Sequence, residues 1–317
     1  EDTAKDKKDG KIDFKVKIAP NTTTVEGEVA TEVPKLIHFV WIGSVPTANA
    51  FDNIKKWVDR AKDTSWKIWL WTDSSQLNLA KSIKLKMQVF NNVSSVEHQD
   101  IEKILDKRLK KLYQKAVDGD QKAYNMASDL ARYSILNKHG GVYADVDIGP
   151  GNVNLAEIGQ DGQKVEENEI PMLGPGLRDK QQLESSSSNM QGNTQQEKMQ
   201  HAAQEQYAND SFGNQFIATP KQHKLIEEII SRIAKDTDET IDIGKPGKKG
   251  ELGSLKEIAS GSTGPFLVQR VLRDMIEDKK ITKKEGEKII DKMNPEMFAT
   301  WGKLDWLTDE SENKLHP

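Results

Sequence analysis

Cysteine is absent from this 317-residue chain, which excludes disulfides, thiolate zinc sites and a cysteine nucleophile. Long apolar runs are missing too. None approaches the roughly 20 residues a membrane-spanning helix needs, and no signal peptide is visible. Nor is there a strong charge of either sign: the net charge is −4 and the isoelectric point about 6.0, so no bulk positive field recruits nucleic acid. Only 35% of residues are hydrophobic and mean hydropathy is −0.71, low for a compact domain. Polar insertions are therefore expected around a core anchored by 7 Trp and 8 Phe. Glu1 is not a natural start, so a fragment of a longer chain is expected.

Residues 1–33 are charged and Thr-rich, with Ile12-Asp13-Phe14-Lys15-Val16-Lys17-Ile18 as a possible edge strand because every second position is apolar. After Pro34, Leu36 to Ile42 is nearly continuously apolar, the pattern of a parallel strand covered on both faces. Phe51, Ile54, Trp57, Val58 and Ala61 have helical spacing up to about Lys62, and Lys67 to Thr72 is a second buried strand. Strand, helix and strand at this length predict a crossover unit of an α/β fold with a mostly parallel sheet. A third strand is expected around Met87 to Phe90, and one amphipathic helix from Ile101 to about Val117. The lysine-rich face of that helix predicts a solvated surface, with a partner or peripheral membrane contact as the alternative. Residues 178–210 are rich in Gln, Ser, Asn and Glu and predict a polar insertion. Structure resumes with a strand from Phe212, a helix from about His223 to Ala234, a helix opened by Gly264-Pro265, and another from Ile281 to Met293. The domain expectation is an N-terminal extension over 1–33 and one domain over 34–317.

The chemistry concentrates in Ser128 to Asp147. A helix containing Asp129 and Arg132 runs to Gly140-Gly141, and Val142-Tyr143-Ala144 then leads into Asp145-Val146-Asp147. Gly140 suits the left-handed residue that ends a helix. If the strand continues through Asp147, Asp145 and Asp147 share one face. Two hard oxygen donors there suit Mg²⁺ or Mn²⁺ carrying a phosphorylated ligand. Asp129 and Arg132, three apart, share a helix face, where the cation suits a phosphate or sugar oxygen and the carboxylate suits sugar hydroxyls. Trp41 closes a buried strand before Gly43, where crossover loops bind ligands, and offers a face for a nucleobase. His38, mid-strand, reads as a buried, hydrogen-bonded histidine, Trp69 and Trp71 as core packing, and Asp73 as a cap for the segment after it.

Ile37 to Gly43, then Trp69-Leu70-Trp71-Thr72-Asp73, then Ser128 to Tyr133, then Gly140 to Asp147 occur in an order and spacing that resemble the GT-A glycosyltransferases with a DXD sugar-binding region. That group includes the large clostridial glucosylating toxins and a Photorhabdus toxin domain that modifies a tyrosine of Rho-family GTPases. Asn214 to Ala218 and Thr263-Gly264-Pro265 are similar to later blocks. The resemblance implies a GT-A fold, Rossmann-like, with helical additions. It implies a donor such as UDP-glucose or UDP-N-acetylglucosamine, with Val40, Trp41 and Ile42 at the uracil and Tyr133 and Asn214 also lining the donor site. Asp129 and Arg132 would bind the sugar, Asp145 the ribose and sugar, and Asp147, with Asp145, a divalent metal. A C-terminal tryptophan, Trp301 in preference to Trp306, would close over the diphosphate. Retention of anomeric configuration by front-face attack is implied, with a host protein hydroxyl, a Rho-family GTPase above all, as acceptor. The expected actor is a monomeric secreted toxin or effector domain working in the host cytoplasm, with contact at the inner membrane face as an option.

Three other readings stay open. One is a glycosyltransferase of bacterial surface glycans or glycolipids. A second is a haloacid-dehalogenase-type phosphatase, which also uses Asp-x-Asp with magnesium, although Gly149 stands where that class commonly has Thr or Val. The third is a nucleotide-binding module without catalysis.

Overall fold

The computed structural model describes residues 31–44, 46–73, 96–118, 122–151, 154–158, 165, 168–175, 191–193, 198, 212–237, 259 and 262–281. The expected strands at 12–18 and 87–90, the helix at 281–293, most of the polar insertion, Trp301 and Trp306 lie outside these residues.

β1 (Leu36–Trp41) and β2 (Lys67–Thr72) pair in parallel, Ile37 opposite Ile68 and Trp41 opposite Thr72. Between them runs α1 (Ala48–Ala61), started by Thr47, whose hydroxyl accepts from the Ala50 amide. Its apolar spacing puts Phe51, Ile54 and Trp57 in the core, while Lys55 and Asp59 pair on the solvent side. β3 (Glu97–Asp100) extends the parallel sheet from β2. Its sequence Glu-His-Gln-Asp carries no strand signal; pairing with β2, not propensity, makes it a strand.

The single helix expected from Ile101 to Val117 is instead a 3₁₀ turn, Ile101–Lys103, and a later helix, α2 (Lys110–Asp118). Asp106 makes the break. Its carboxylate accepts from the Arg108 amide and side chain, and its own amide donates to Ser134, so side-chain bonds replace helical ones. The apolar stripe survives, with Ile101, Ile104, Leu105, Leu109 and Leu112 all buried.

α3 (Tyr124–His139) is the central helix, buried almost all round from Met126 to Leu136. It packs against α2, β1, β4 and α4 (Lys224–Thr237). β4 (Gly141–Ala144) follows and pairs in parallel with β1 and antiparallel with β6 (Phe212–Thr219). β5 (Met172–Pro175) closes the far edge, and α5 (Pro265–Glu277) packs on β6 and α4. The sheet order is β3-β2-β1-β4-β6-β5. Among the described strands only β6 runs against the rest, as befits the mostly parallel sheet expected.

Gly140 and Gly141 turn α3 back into the sheet. Gly140 has φ 64 and ψ −164, so it lies in the mirror-extended region open to glycine and not in the left-handed helical well. At Gly141, φ is 101 and an added Cβ would lie 2.7 Å from the Leu36 carbonyl oxygen. Nearby, His38 Nε2 donates to the Gly140 carbonyl at 2.9 Å and Nδ1 accepts from Trp71 Nε1 at 3.1 Å. Burial lowers its pKa to about 3, so it is a neutral structural histidine. Gly141→Ala combines backbone strain of about 1–3 kcal/mol with that clash; urea unfolding should show a loss of at least about 2 kcal/mol.

Candidate active site

The sheet order contains a switch point. From β1 the chain adds β2 and β3 on one side, then returns to place β4 on the other. In α/β sheets such a switch point is where ligands bind, beyond the carboxyl ends of the strands, here β1 and β4. Trp41 ends β1, and Asp145 follows β4 directly. The expected uracil-binding and metal-binding residues therefore come to one end of the sheet. Val40, Trp41 and Ile42 are 6%, 6% and 9% exposed, and the Trp41 indole N–H donates to Ser44 at 3.1 Å.

α3 delivers the charged residues. Ser128, Asp129, Arg132 and Tyr133 fall on one face through the i, i+3 and i+4 spacing, and all but Ser128 are buried. The guanidinium of Arg132 is the hub. Its Nη2 lies 3.3 Å from Asp129 Oδ1 and 3.2 Å from Asp145 Oδ1, and Nη1 donates to the Asn214 carbonyl at 2.7 Å. Its carbon stands 4.4 Å above the Tyr143 ring, and the Tyr143 hydroxyl donates to Asp145 at 2.7 Å. Burial works against the charge of Arg132; Tyr143, Asp145 and Asp129 outweigh it and hold its pKa above the usual arginine value. Nε of Arg132 is buried with no hydrogen-bond partner. An unmade bond at a charged donor costs on the order of 1–3 kcal/mol, so a ligand oxygen arriving there would gain it.

Asp129 is held from two further sides. Its Oδ1 accepts from Asn214 Nδ2 at 3.0 Å and its Oδ2 from the Thr263 hydroxyl at 2.9 Å. Asn214 Nδ2 also donates to the Tyr133 hydroxyl, which donates to the Thr263 carbonyl. One network thus joins α3, β6, the start of α5 and the end of β4. It unites Asp129, Arg132, Tyr133, Asn214 and Asp145 and adds Ser128, Tyr143 and Thr263. Thr263 carries a signal in the Thr263-Gly264-Pro265 block; Tyr143 reads only as a β-prone residue before the aspartates.

The two aspartates are not successive positions of one strand. β4 ends at Ala144. Asp145 still donates its amide to the Gln215 carbonyl, and a turn then closes with Ile148 N donating to Asp145 O at 2.9 Å. The turn is pinned by Asn53 of α1, whose side-chain amide donates to the carbonyls of Val146 and Ile148. Asn53 escapes sequence reading because it hides within an apolar stripe. Asp73, expected as a cap, accepts from the Tyr113 hydroxyl at 3.2 Å; the segment after it lies outside the described residues.

Asp145 and Asp147 differ in their surroundings. Asp145 is tied to Arg132 and Tyr143, whereas desolvation first, and then the charge of Asp145, pushes the carboxyl of the half-buried Asp147 above the usual carboxylate range. Two hard oxygen ligands that repel each other are a donor set that a divalent cation stabilises, reversing that upward shift. Among the described residues no group of three or more His, Asp or Glu could hold a metal. A pair of carboxylates suits an ion of the Mg²⁺ class that keeps waters and phosphate oxygens as its other ligands.

Residues 47–162 match the family model for the glycosyltransferase sugar-binding region containing a DXD motif, which spans Asp129, Arg132, Asp145 and Asp147. The fold is α/β of the GT-A type, and this part of it is similar to that sugar-binding region. Among solved structures, the catalytic domain of alpha-toxin from Clostridium novyi superposes with a TM-score of 0.51 at 15% identity, covering 90% of this chain and 82% of that one. The PaToxG glycosyltransferase matches with a TM-score of 0.49 at 18% identity, over 90% of this chain and 84% of that one. The UDP-bound glycosyltransferase domain of the YGT toxin matches at 0.45 and 13%, over 80% and 79%. Among curated proteins, Subversion of eukaryotic traffic protein A of Legionella pneumophila is 25% identical over 139 residues, 44% of this chain. The match spans about a fifth of that relative's length, 20%.

Burial raises the Asp129 carboxyl to about 7, partly opposed by Arg132 and Thr263. An unfolded aspartate releases its proton near 4, so between those values the native state binds the extra proton, and this contribution to stability falls as pH rises. Asn can replace the carboxylate here by donating to Thr263, whose hydroxyl then bonds the Ala259 carbonyl. Asp129→Asn, which has no proton to release, should lose this pH dependence, so that its stability relative to wild type rises from pH 4 to pH 8, a trend that urea unfolding at successive pH values would show.

Proposed function

We propose that the chain is a metal-dependent, retaining glycosyltransferase that moves glucose or N-acetylglucosamine from a UDP-sugar to a protein hydroxyl. The observation that carries this reading is the buried Asp129–Arg132–Asp145 network beside Asp147 at the switch point, within a matched DXD sugar-binding region. Val40, Trp41 and Ile42 line the uracil end, Trp41 by stacking. Asp129, with Asn214 and Tyr133 behind it, accepts hydrogen bonds from sugar hydroxyls. Arg132 faces the sugar and diphosphate with a donor still unmatched, and Asp145 takes the ribose and sugar. Asp147, with Asp145, holds Mn²⁺ or Mg²⁺. The cation supplies positive charge where the diphosphate leaves. The glycosidic bond from the anomeric carbon to the phosphate breaks, the acceptor oxygen bonds that carbon from the same face, and the hydroxyl proton passes to the leaving phosphate oxygen. A diphosphate stabilised in this way needs no separate general acid.

The proposal extends to a bacterial toxin or effector acting on a host protein in the host cytoplasm, with a Rho-family GTPase as acceptor and Trp301 closing the donor site. The motif resemblance supports it, as does the likeness to a Legionella protein whose name describes subversion of eukaryotic traffic. We assign residues 34–317 to one catalytic unit that acts as a monomer, with 1–33 as an extension and 178–210 as an insertion.

UDP-glucose and UDP-N-acetylglucosamine hydrolysis, followed with Mn²⁺ and with chelator, tests the donor half. Asp147→Asn should lower the metal-dependent rate at least about 100-fold, and Asp145→Asn comparably. Equal hydrolysis by wild type and both variants would sink the site assignment. Intact-mass analysis of purified GTPases incubated with each donor tests the acceptor half; hydrolysis without a mass gain moves the acceptor to glycans or glycolipids.

A further inference from the structure

The turn that carries Asp147 is closed by a bond from Ile148 N to Asp145 O, the Asp147 carboxylate also accepts from its own amide, and the chain runs into Gly149-Pro150-Gly151. Those bonds are local to the turn and do not tie it to the rest of the fold. That tie comes from α1, almost a hundred residues earlier in the chain. Asn53, Trp57 and Arg60 lie on one side of that helix through the i, i+4 and i+7 spacing, and each donates to a carbonyl of the segment. Asn53 Nδ2 donates to Val146 O at 2.7 Å and to Ile148 O at 2.8 Å, Trp57 Nε1 to Ile148 O at 2.8 Å, and Arg60 Nη2 to Gly151 O.

The two Asn53 bonds differ in kind from the others because they land on the carbonyls immediately before and after Asp147. They fix the backbone on both sides of one residue, which leaves the direction of its side chain far less free than a single anchor would. Asn53 is 7% exposed between Phe51, Ile54 and Trp57. An amide buried in an apolar stripe is costly unless its hydrogens are bonded, and here both go to this segment.

We infer that Asn53 is a positioning residue for the cation, presenting the Asp147 carboxylate to it by bridging the flanking carbonyls. The inference rests on the reading of Asp147 as a metal ligand. Residues that orient a ligand from outside the coordination sphere characteristically change metal affinity about 10- to 100-fold when removed. A role confined to holding the fold would instead change thermal stability and leave metal affinity alone.

The test measures UDP binding by calorimetry as Mn²⁺ is raised, together with thermal unfolding, for wild type, Asn53→Ala and Ile54→Val. Ile54 is a core residue on the same helix with no polar group, so its truncation reports stability loss alone. Asn53→Ala should require roughly 10- to 100-fold more Mn²⁺ for half-maximal UDP binding, while UDP affinity in chelator stays at the wild-type level. Ile54→Val should keep the wild-type Mn²⁺ requirement at a lower unfolding temperature. If Asn53→Ala shows the wild-type Mn²⁺ requirement, the residue is structural and the inference is overturned, with the function reading untouched. If wild type itself binds UDP equally with Mn²⁺ and chelator, the metal reading fails first and this inference falls with it. Should Asn53→Ala fail to fold, Asn53→Gln carries the same comparison, because it keeps the amide but displaces it by one methylene.

Discussion

The constraint on which the site depends is the burial of one cation. Arg132 is 5% exposed on a helix buried almost all round, and a guanidinium cannot escape that cost by losing its proton. Anions and carbonyls must therefore surround it. Asp129 supplies one from the same helix, Asp145 another from the end of β4, and Asn214 a carbonyl from β6. The last two each bind a different element to α3, so the charge of a single side chain helps bring three parts of the fold to one place. A buried pair of this kind is weak evidence for stability, since apolar replacements are often as stable. Its cost and its unpaired Nε make better sense as ligand chemistry.

From that hub the site divides into two chemistries. On one side, Asp129, Asn214, Tyr133 and Thr263 form a tightly bonded polar wall, suited to hydroxyl groups whose hydrogen-bonding pattern must be matched. On the other, Asp147 stands near Asp145 with desolvation and like charge raising its pKa, suited to a cation and the phosphates it carries. Asp145 belongs to both, through Arg132 and through its neighbour. A UDP-sugar has the same division, a hydroxylated ring joined to a charged diphosphate, and this correspondence holds the functional reading together independently of likeness to other proteins.

Some of this was open to reading along the chain. The buried strands at Leu36 and Lys67, the amphipathic helix between them and the helix before Gly140 are dictated by apolar period and by glycine. Those signals are local, and the structure keeps them. Asp129 and Arg132 are legible as partners for the same reason, since helix geometry alone places residues three apart on one face. What misled was the assumption that local pattern persists. An apolar stripe continues through Ile101 to Leu112 while Asp106 breaks the helix, and alternation suggests a strand through Asp147 where the chain instead turns.

The sequence by itself determined the α/β class, the central helix and the identity of the charged residues, because secondary structure follows from periods of two and 3.6 that any window of the chain displays. Only the tertiary structure decided that β3 is a strand despite its polar sequence, that Asn214 and Thr263 close around Asp129, and that Asn53 holds the turn at Asp147. These contacts join residues some 30 to 130 positions apart. No local period records them, because their energy exists only once the sheet order has brought the ends of β1, β4 and β6 together.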